Sequence, residues 1–111
     1  MYKVNDDGSI EMIRGDSVEL DVVIYQTDSS GDVIEYIPQE GDDITFTVKR
    51  STKDSEVLIQ KHGSHISILP EDTESLEYKK YKYDVQLTLA DGTVDTIIPP
   101  SMFIVRDEVT W

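Results

Sequence analysis

Apolar and polar residues alternate along most of this chain, and a period of two is the pattern of β-strands that bury one face. The alternation is most regular in the segments SVELDVVIYQ, DITFTVKRS and YKYDVQLTLADG. The side chains predicted to face inward are Val18, Leu20, Val22 and Ile24, then Ile44, Phe46 and Val48, and finally Tyr81, Tyr83, Val85, Leu87 and Leu89. We therefore expect three half-buried strands in these segments.

Shorter strands are predicted between and around them. SIEMIR forms an initial strand that ends in a bend at Gly15 and Asp16, and EVLIQKH and HISILP are two strands joined by a tight turn at HGSH. TVDTII returns after the LADGT turn, which contains Gly92. Pro99 and Pro100 interrupt the last ladder, because proline has no N–H to donate, before SMFIVRDEV resumes it. The clusters TDSSGD, PQEGDD and LADGT have the residues typical of turns.

The segment PEDTESLEYKK lacks this rhythm and indicates a helical turn. Pro70 suits the first position of a helix, and the acidic residues that follow it suit the positive end of the helix dipole. We expect one short helical turn near residues 70–77, with Leu76 directed into the core. Seven to eight short strands without crossover helices predict an all-β fold, an immunoglobulin-like antiparallel β-sandwich.

The segment LEYKKYKYDV is typical of the corner where the chain passes over such a sandwich and enters a core strand. Tyr81 is the predicted corner tyrosine, with its hydroxyl bonded back to the preceding loop. Tyr83 follows two residues later, at the core position that a cysteine takes in antibodies. These rings are predicted to fill the core, and stacking against a ligand is the alternative.

Composition limits the domain organisation and the location of the protein. A chain of 111 residues is long enough for one real core, so we expect a single domain spanning residues 1–111. Cysteine is absent, which excludes disulfides, thiolate metal ligands and cysteine nucleophiles. No apolar run approaches the length of a membrane span, and the N-terminus lacks a signal-peptide pattern. We expect synthesis in a reducing cytoplasm and no membrane partner.

Charge is distributed unevenly. The formal net charge is −13; residues 1–43 hold twelve acidic and two basic residues, whereas residues 49–82 hold seven basic and six acidic residues. Such a balance repels phosphate backbones, so we expect no nucleic-acid partner. The asymmetry would let an acidic face of one copy meet the lysine-rich face of another, although a charged surface that maintains solubility is the simpler interpretation.

Candidate chemical sites are few. HGSH brings His62, Ser64 and His65 together, but neighbouring side chains on a tight turn diverge, and a hydrolase needs serine, histidine and carboxylate in one chain of hydrogen bonds. Two histidines without a third ligand make a weak metal site. Acidic residues in loops, as in calcium sites, occur at Asp6-Asp7, Asp28/Asp32 and Asp42-Asp43, without the spacing of a dedicated calcium loop. We therefore predict no enzyme activity, no cofactor and no metal.

The order of the segments resembles the N-terminal domain of phage baseplate upper proteins, and also small virion proteins of tailed phages and prophages of Gram-positive bacteria. The matching segments are IRGDSVELDVVIYQ, GDDITFTVKRS, LIQK, ISILPEDTESLEYKKYKYDVQLTLADGTVDTII and MFIV. The matching positions are Gly15, Asp16, Phe46 to Lys49, Pro70 to Asp72, Leu76, Tyr81, Tyr83, Gly92 and Phe103. Lys79 departs from the pattern, which has glycine before the tyrosine strand.

This resemblance implies a structural role in a virion, in which the domain docks onto other virion proteins or onto further copies of itself, as a homo-oligomer, in the tail, baseplate or neck. Interface contacts are expected at Tyr25, Tyr78, Lys80 and Trp111, because tyrosine and tryptophan are enriched at interface hot spots. The alternative is a stand-alone binding module that recognises a carbohydrate or a host surface through aromatic side chains.

Overall fold

The computed structural model describes residues 2–4, 8–77 and 79–106, and for residues 2–4 it describes the backbone alone. The elements in chain order are β1 (Tyr2–Val4), β2 (Ile10–Ile13), β3 (Val18–Asp21), β4 (Ile24–Thr27), β5 (Val33–Tyr36), β6 (Asp43–Lys49), β7 (Ile59–His62), β8 (His65–Ile68), α1 (Pro70–Thr73), β9 (Lys80–Thr88) and β10 (Val94–Arg106). The described residues are mostly strand, with one short helix, so the predicted all-β class is confirmed.

Six strands form the main sheet, in the order β1-β2-β10-β9-β6-β7. Its neighbours are antiparallel with one exception, because β2 and β10 run parallel, with Ile10 opposite Phe103. The fully antiparallel prediction is wrong at this pair, where an early strand and the last strand run in the same direction side by side. Two further pairs stand apart from the main sheet: β3 with β8, and β4 with β5.

The described residues contain ten strands, where the sequence predicted seven to eight. Strands β1 and β5 were not predicted. The run SVELDVVIYQ forms two strands, β3 and β4. Strand β3 pairs with β8 as far as Asp21, and the Val22 N–H then donates to the Ser64 carbonyl at 2.7 Å, in the turn before β8. The strand assignment of β10 runs through Pro99 and Pro100, but its ladder with β9 is interrupted there as predicted: neither proline has a partner, and the register shifts between Ile98 and Ser101. Whether the sheets form an immunoglobulin-like sandwich stays a prediction.

The core lies on the inner faces of the main sheet and the β3/β8 pair. Alternation is strict in β6 and β9, where every second side chain is buried, as predicted. The rings of Phe46, Tyr83 and Phe103 form a cluster with centroids 5.3 to 6.4 Å apart and tilted or edge-on planes, a favourable geometry for aromatic pairs. The Tyr81 hydroxyl donates to the Glu77 carbonyl at 2.8 Å, the bond predicted for the corner tyrosine.

Helix α1 connects β8 to this corner. The Asp72 carboxylate accepts the Leu69 N–H at 2.7 Å and the Lys61 ammonium at 2.9 Å, which closes the first turn and ties it to β7. Thr73 is fully buried, and its hydroxyl oxygen accepts the Gly15 N–H at 3.1 Å. Leu76 follows with 8% of its surface exposed, in agreement with the predicted inward direction.

Candidate docking surfaces

Strands β4 and β5 form a hairpin that lies outside the main body. We call residues 23–37 the arm: the two strands, the turn between them and one flanking residue at each end. Tyr25 pairs with Glu35 and Thr27 with Val33, so these four side chains share one face. In the part of the chain that the structure describes, each of these strands contacts the other extensively and no other element to a comparable extent.

The outer face of the arm is exposed and mostly apolar, with Glu35 and Thr27 as its polar members. The exposed fractions are 49% for Val23, 65% for Tyr25, 70% for Val33 and 59% for Ile37. On the opposite face Ile34 is also 43% exposed, whereas Ile24 is buried at 6% and fixes the arm to the core. β-branched and aromatic residues favour strands, and a strand pair with apolar residues on both faces gains free energy when a partner covers it.

Hydrogen bonds define the tip and the base of the arm. At the tip, Asp28 Oδ1 accepts the N–H groups of Ser30 and Asp32, both at 2.9 Å. At the base, the Tyr36 hydroxyl donates to the Asp42 carboxylate, which also accepts the Gln39 N–H at 2.9 Å. The hydrogen bond from Tyr36, followed by the one from Gln39, lowers the pKa of Asp42 below its ordinary value. The arm therefore leaves the body in a defined direction.

The arm also belongs to the acidic part of the molecule. Residues 15–48 contain nine aspartate and glutamate residues and no lysine or arginine. Three of the acidic residues, Asp28, Asp32 and Glu35, lie on the arm itself. Its surface thus combines apolar side chains with negative charge, which suits a partner that is apolar and basic.

A polar groove lies on the outer face of the main sheet, where β6, β7 and β9 run side by side and the loop of residues 50–58 rises over them. Its volume is about 310 Å³, and its walls include Thr47, Lys49, Val57, Gln60, Lys82 and Gln86. Lys49 and Lys82 are directly opposite in the ladder between β6 and β9. We call this feature the lysine groove. Among the described residues neither ammonium has an ion-pair partner.

The rim of the lysine groove is fixed by its own contacts. Arg50 and Glu56 form an ion pair across the loop, and Asp54 accepts the Glu56 N–H at 2.9 Å. The Leu58 N–H returns to the Val48 carbonyl at 2.8 Å, which closes the loop onto β6. Val57, on the wall of the groove, is 44% exposed. The groove therefore offers positive charge beside an exposed apolar side chain.

A second depression, about 340 Å³ in volume, opens between the β3/β8 pair and the main sheet. Apolar side chains such as Leu20, Val22 and Ile98 line it, and Asp21 stands in its wall. We call it the apolar cleft. It lies at the foot of the arm, since Val23 contributes to its wall.

The two histidines of HGSH point to different carboxylates. His65 lies between Asp21, 2.8 Å from Nδ1, and Glu19, 2.6 Å from Nε2. The hydrogen bonds with Asp21 and then Glu19 raise the pKa of His65. His62 contacts Asp43 instead, with 3.1 Å between Nδ1 and Oδ1. Within the described ranges, no three or more histidine, aspartate and glutamate side chains are grouped to hold a metal ion.

The predicted site residues have different outcomes. Tyr25 is exposed on the arm and Lys80 is exposed at the start of β9. Tyr78, Trp111 and the Asp6-Asp7 pair lie outside the described residues. The predicted structural residues found buried are Phe46, Leu76, Tyr81, Tyr83 and Phe103.

The two predicted turn glycines adopt the conformation that glycine permits. Gly15 and Gly92 have φ of 88° and 93°. Asp16 follows Gly15 in the bend, and its N–H donates to the Ile13 carbonyl at 3.0 Å.

Sequence reasoning missed most of the arm and the lysine groove. The signal for the arm was the run VIEYI after the turn cluster TDSSGD, five residues of high strand propensity apart from Glu35. The signal for the groove was weaker, because Lys49 and Lys82 are 33 positions apart and become neighbours only through the pairing of β6 with β9.

Over the described part of the chain, no helix has the length and apolar character needed to cross a bilayer. Comparisons of the sequence with protein-family models and with curated proteins find no match.

Proposed function

We propose that this protein is a non-enzymatic structural module of a phage virion, in the tail, baseplate or neck, and that the arm is its docking element. The observation that carries the proposal is the exposed apolar face of the arm, which includes Tyr25, Val33 and Ile37. A face of this kind is typical of protein interaction sites. The resemblance of the segments around it to baseplate upper proteins supports the virion as the setting.

The energetics of the arm suit a repeated assembly. Full burial of one large apolar side chain yields about 1.5–3 kcal/mol, and Val23, Tyr25, Val33 and Ile37 are 49% to 70% exposed. Covering all four would therefore contribute about 4–7 kcal/mol, whereas association costs about 4–15 kcal/mol in lost freedom. A single arm contact is weak, but it becomes effective where neighbouring contacts already hold the copies together.

The test is incorporation of the protein into particles of the encoding phage, measured by quantitative mass spectrometry of purified virions. We expect a constant number of copies per particle. Val33→Ser, which makes the arm polar, is expected to reduce that number. Val94→Ser is the matched control, because Val94 is also an exposed strand valine, at 53%, but lies outside the arm. Absence of the wild-type protein from the particles, or equal incorporation of both variants, would contradict the proposal.

Carbohydrate recognition remains the second candidate because the Tyr25 ring is 65% exposed on a fixed strand, as a stacking platform requires. It predicts that glycans change the tyrosine fluorescence of the protein and that Tyr25→Ala removes the change. Unchanged fluorescence across a glycan panel would reject it.

A further inference from the structure

We propose that the arm of one copy of this protein binds in the lysine groove of a second copy. This inference rests on the proposed function, because it names the partner of the docking element. The two surfaces are on different parts of the molecule, since no residue of the arm lines the lysine groove.

The side chains that line the lysine groove carry more positive than negative charge. Lys49 and Lys82 are a cross-strand pair of like charge, an arrangement that destabilises a sheet unless an anion lies between the two. Both are half-buried, and within residues 8–77 and 79–106 neither has an acidic partner at ion-pair distance. Asp84, also in the groove wall, supplies one negative charge against two positive ones. A carboxylate from outside would balance the site.

The arm presents such a carboxylate, that of Glu35, next to apolar side chains. Glu35 is exposed and opposite Tyr25, and Val33 shares the same face. When Glu35 reaches the two lysines, the neighbouring apolar side chains are placed to cover Val57, which is 44% exposed on the groove wall. The contact thus combines opposite charges with apolar burial, the combination that specific interfaces use.

Charge also excludes the other surfaces that are shaped to receive the arm. The apolar cleft has Asp21 in its wall and Glu19 close by on the same strand, two carboxylates that share the single His65, so its charge does not attract an acidic arm. Pairing of two arms along β5 would bring acidic side chains such as Glu35 and Asp32 near their equivalents. Among the surfaces described, the lysine groove is the one with unbalanced positive charge and an exposed apolar wall.

The geometry of the contact is heterologous. Each copy has one arm and one groove, and using the first leaves the second free for another copy. Such a contact closes into a ring when the rotation between copies permits, and otherwise continues as a filament. Either outcome is a repeated array, which is compatible with the proposed function.

Reciprocal charge reversal tests the contact, with light scattering after size-exclusion chromatography as the readout over a range of concentrations. Glu35→Lys sets lysine against lysine, and Lys82→Glu sets glutamate against glutamate. Each variant alone is expected to associate at least about tenfold more weakly than the wild type, since attraction becomes repulsion. An equimolar mixture of the two variants is expected to associate again, because each arm then meets a groove of opposite charge. Recovery in the mixture also shows that both variants are folded.

Matched controls carry the same change in charge elsewhere. Glu74→Lys lies after α1 and outside the arm, and Lys79→Glu does not line the lysine groove, so both are expected to associate as the wild type does. A monomeric wild type at every concentration, single variants that associate normally, or a mixture that stays monomeric would each overturn the inference. A monomer that still enters virions in constant number would refute this contact and leave the proposed function intact, whereas absence from virions would refute the function.

Discussion

Replacing Gly41 with alanine tests how the base of the arm is held against the body. Gly41 has φ of +89°, a left-handed conformation that costs an L-residue about 1–2 kcal/mol. A Cβ atom at this position would lie 2.8 Å from Ala90 Cβ, in the turn between β9 and β10. Carbon atoms in contact prefer about 3.5–4.0 Å, so one of the two segments must move by about 0.7 Å or more.

Gly31→Ala is the matched control for this change. Gly31 has φ of +86°, and nothing lies within 4 Å of the Cβ atom that alanine would add, so the control includes the backbone strain without the contact. Overpacking of this kind costs about 1–3 kcal/mol. We therefore expect Gly41→Ala to lower the free energy of unfolding by about 1–3 kcal/mol more than Gly31→Ala does.

Urea denaturation followed by far-UV circular dichroism measures both free energies of unfolding. Adding Ala90→Gly removes the opposing methyl group, so the double variant should recover the contact part of the loss, measured against Ala90→Gly alone as a double-mutant cycle. Equal stability of the two glycine variants within about 0.5 kcal/mol, or no coupling between positions 41 and 90, would refute the close approach.

Two further predictions concern side-chain hydrogen bonds. Tyr81→Phe removes the hydrogen bond to the Glu77 carbonyl and should lower the free energy of unfolding by about 0.5–1.5 kcal/mol. The melting temperature should therefore fall by a few degrees, and an unchanged melting temperature would contradict a role for this bond in stability. Asp21 and Glu19 raise the pKa of His65 in the folded state above its ordinary 6.5. The protonated imidazole therefore stabilises the fold below about pH 6.5, and this contribution is lost as the pH rises through the folded-state pKa. In thermal melts from pH 5 to 9, the melting temperature above pH 6.5 should fall less for His65→Gln than for the wild type. Parallel curves of melting temperature against pH would contradict the linkage.

The strands that the sequence predicted well are those whose signal is local. In β6 and β9 the alternation alone specifies which side chains face the core, since one buried face enforces a period of two. The break after Asp21 is not visible in this signal, because Val22 and Ile24 continue the alternation while the chain changes partner from β8 to β5. Which strands pair depends on contacts between distant segments of the chain, and the pattern within one segment does not predict those contacts.

The prolines are another local signal that the sequence predicted well. Pro99 and Pro100 interrupt the ladder with β9 as predicted, although β10 as a strand extends on both sides of them. Parallel pairing with β2 begins only at Phe103, so the missing N–H groups fall where β2 is not paired, and the β9 side accommodates them as irregularities in register. Their effect depends on what lies on each side of the strand.

Of the candidate docking surfaces, the sequence identified Tyr25 as a contact residue but not the face around it. Val33 and Ile37 belong to apolar runs that would be buried in most folds, and their exposure of 70% and 59% follows from the absence of a covering element over the arm in the described structure. Coverage is decided by the whole topology, so the pattern of a single segment does not predict it.

The separation of the arm from the core has a consequence for how this protein changes over evolutionary time. Ile24 is the buried residue of the arm's strands, and the side chains of its outer face are not part of the packed core. Substitutions on that face should therefore cost little folding stability. The hairpin can diverge in sequence while the packed body keeps its fold.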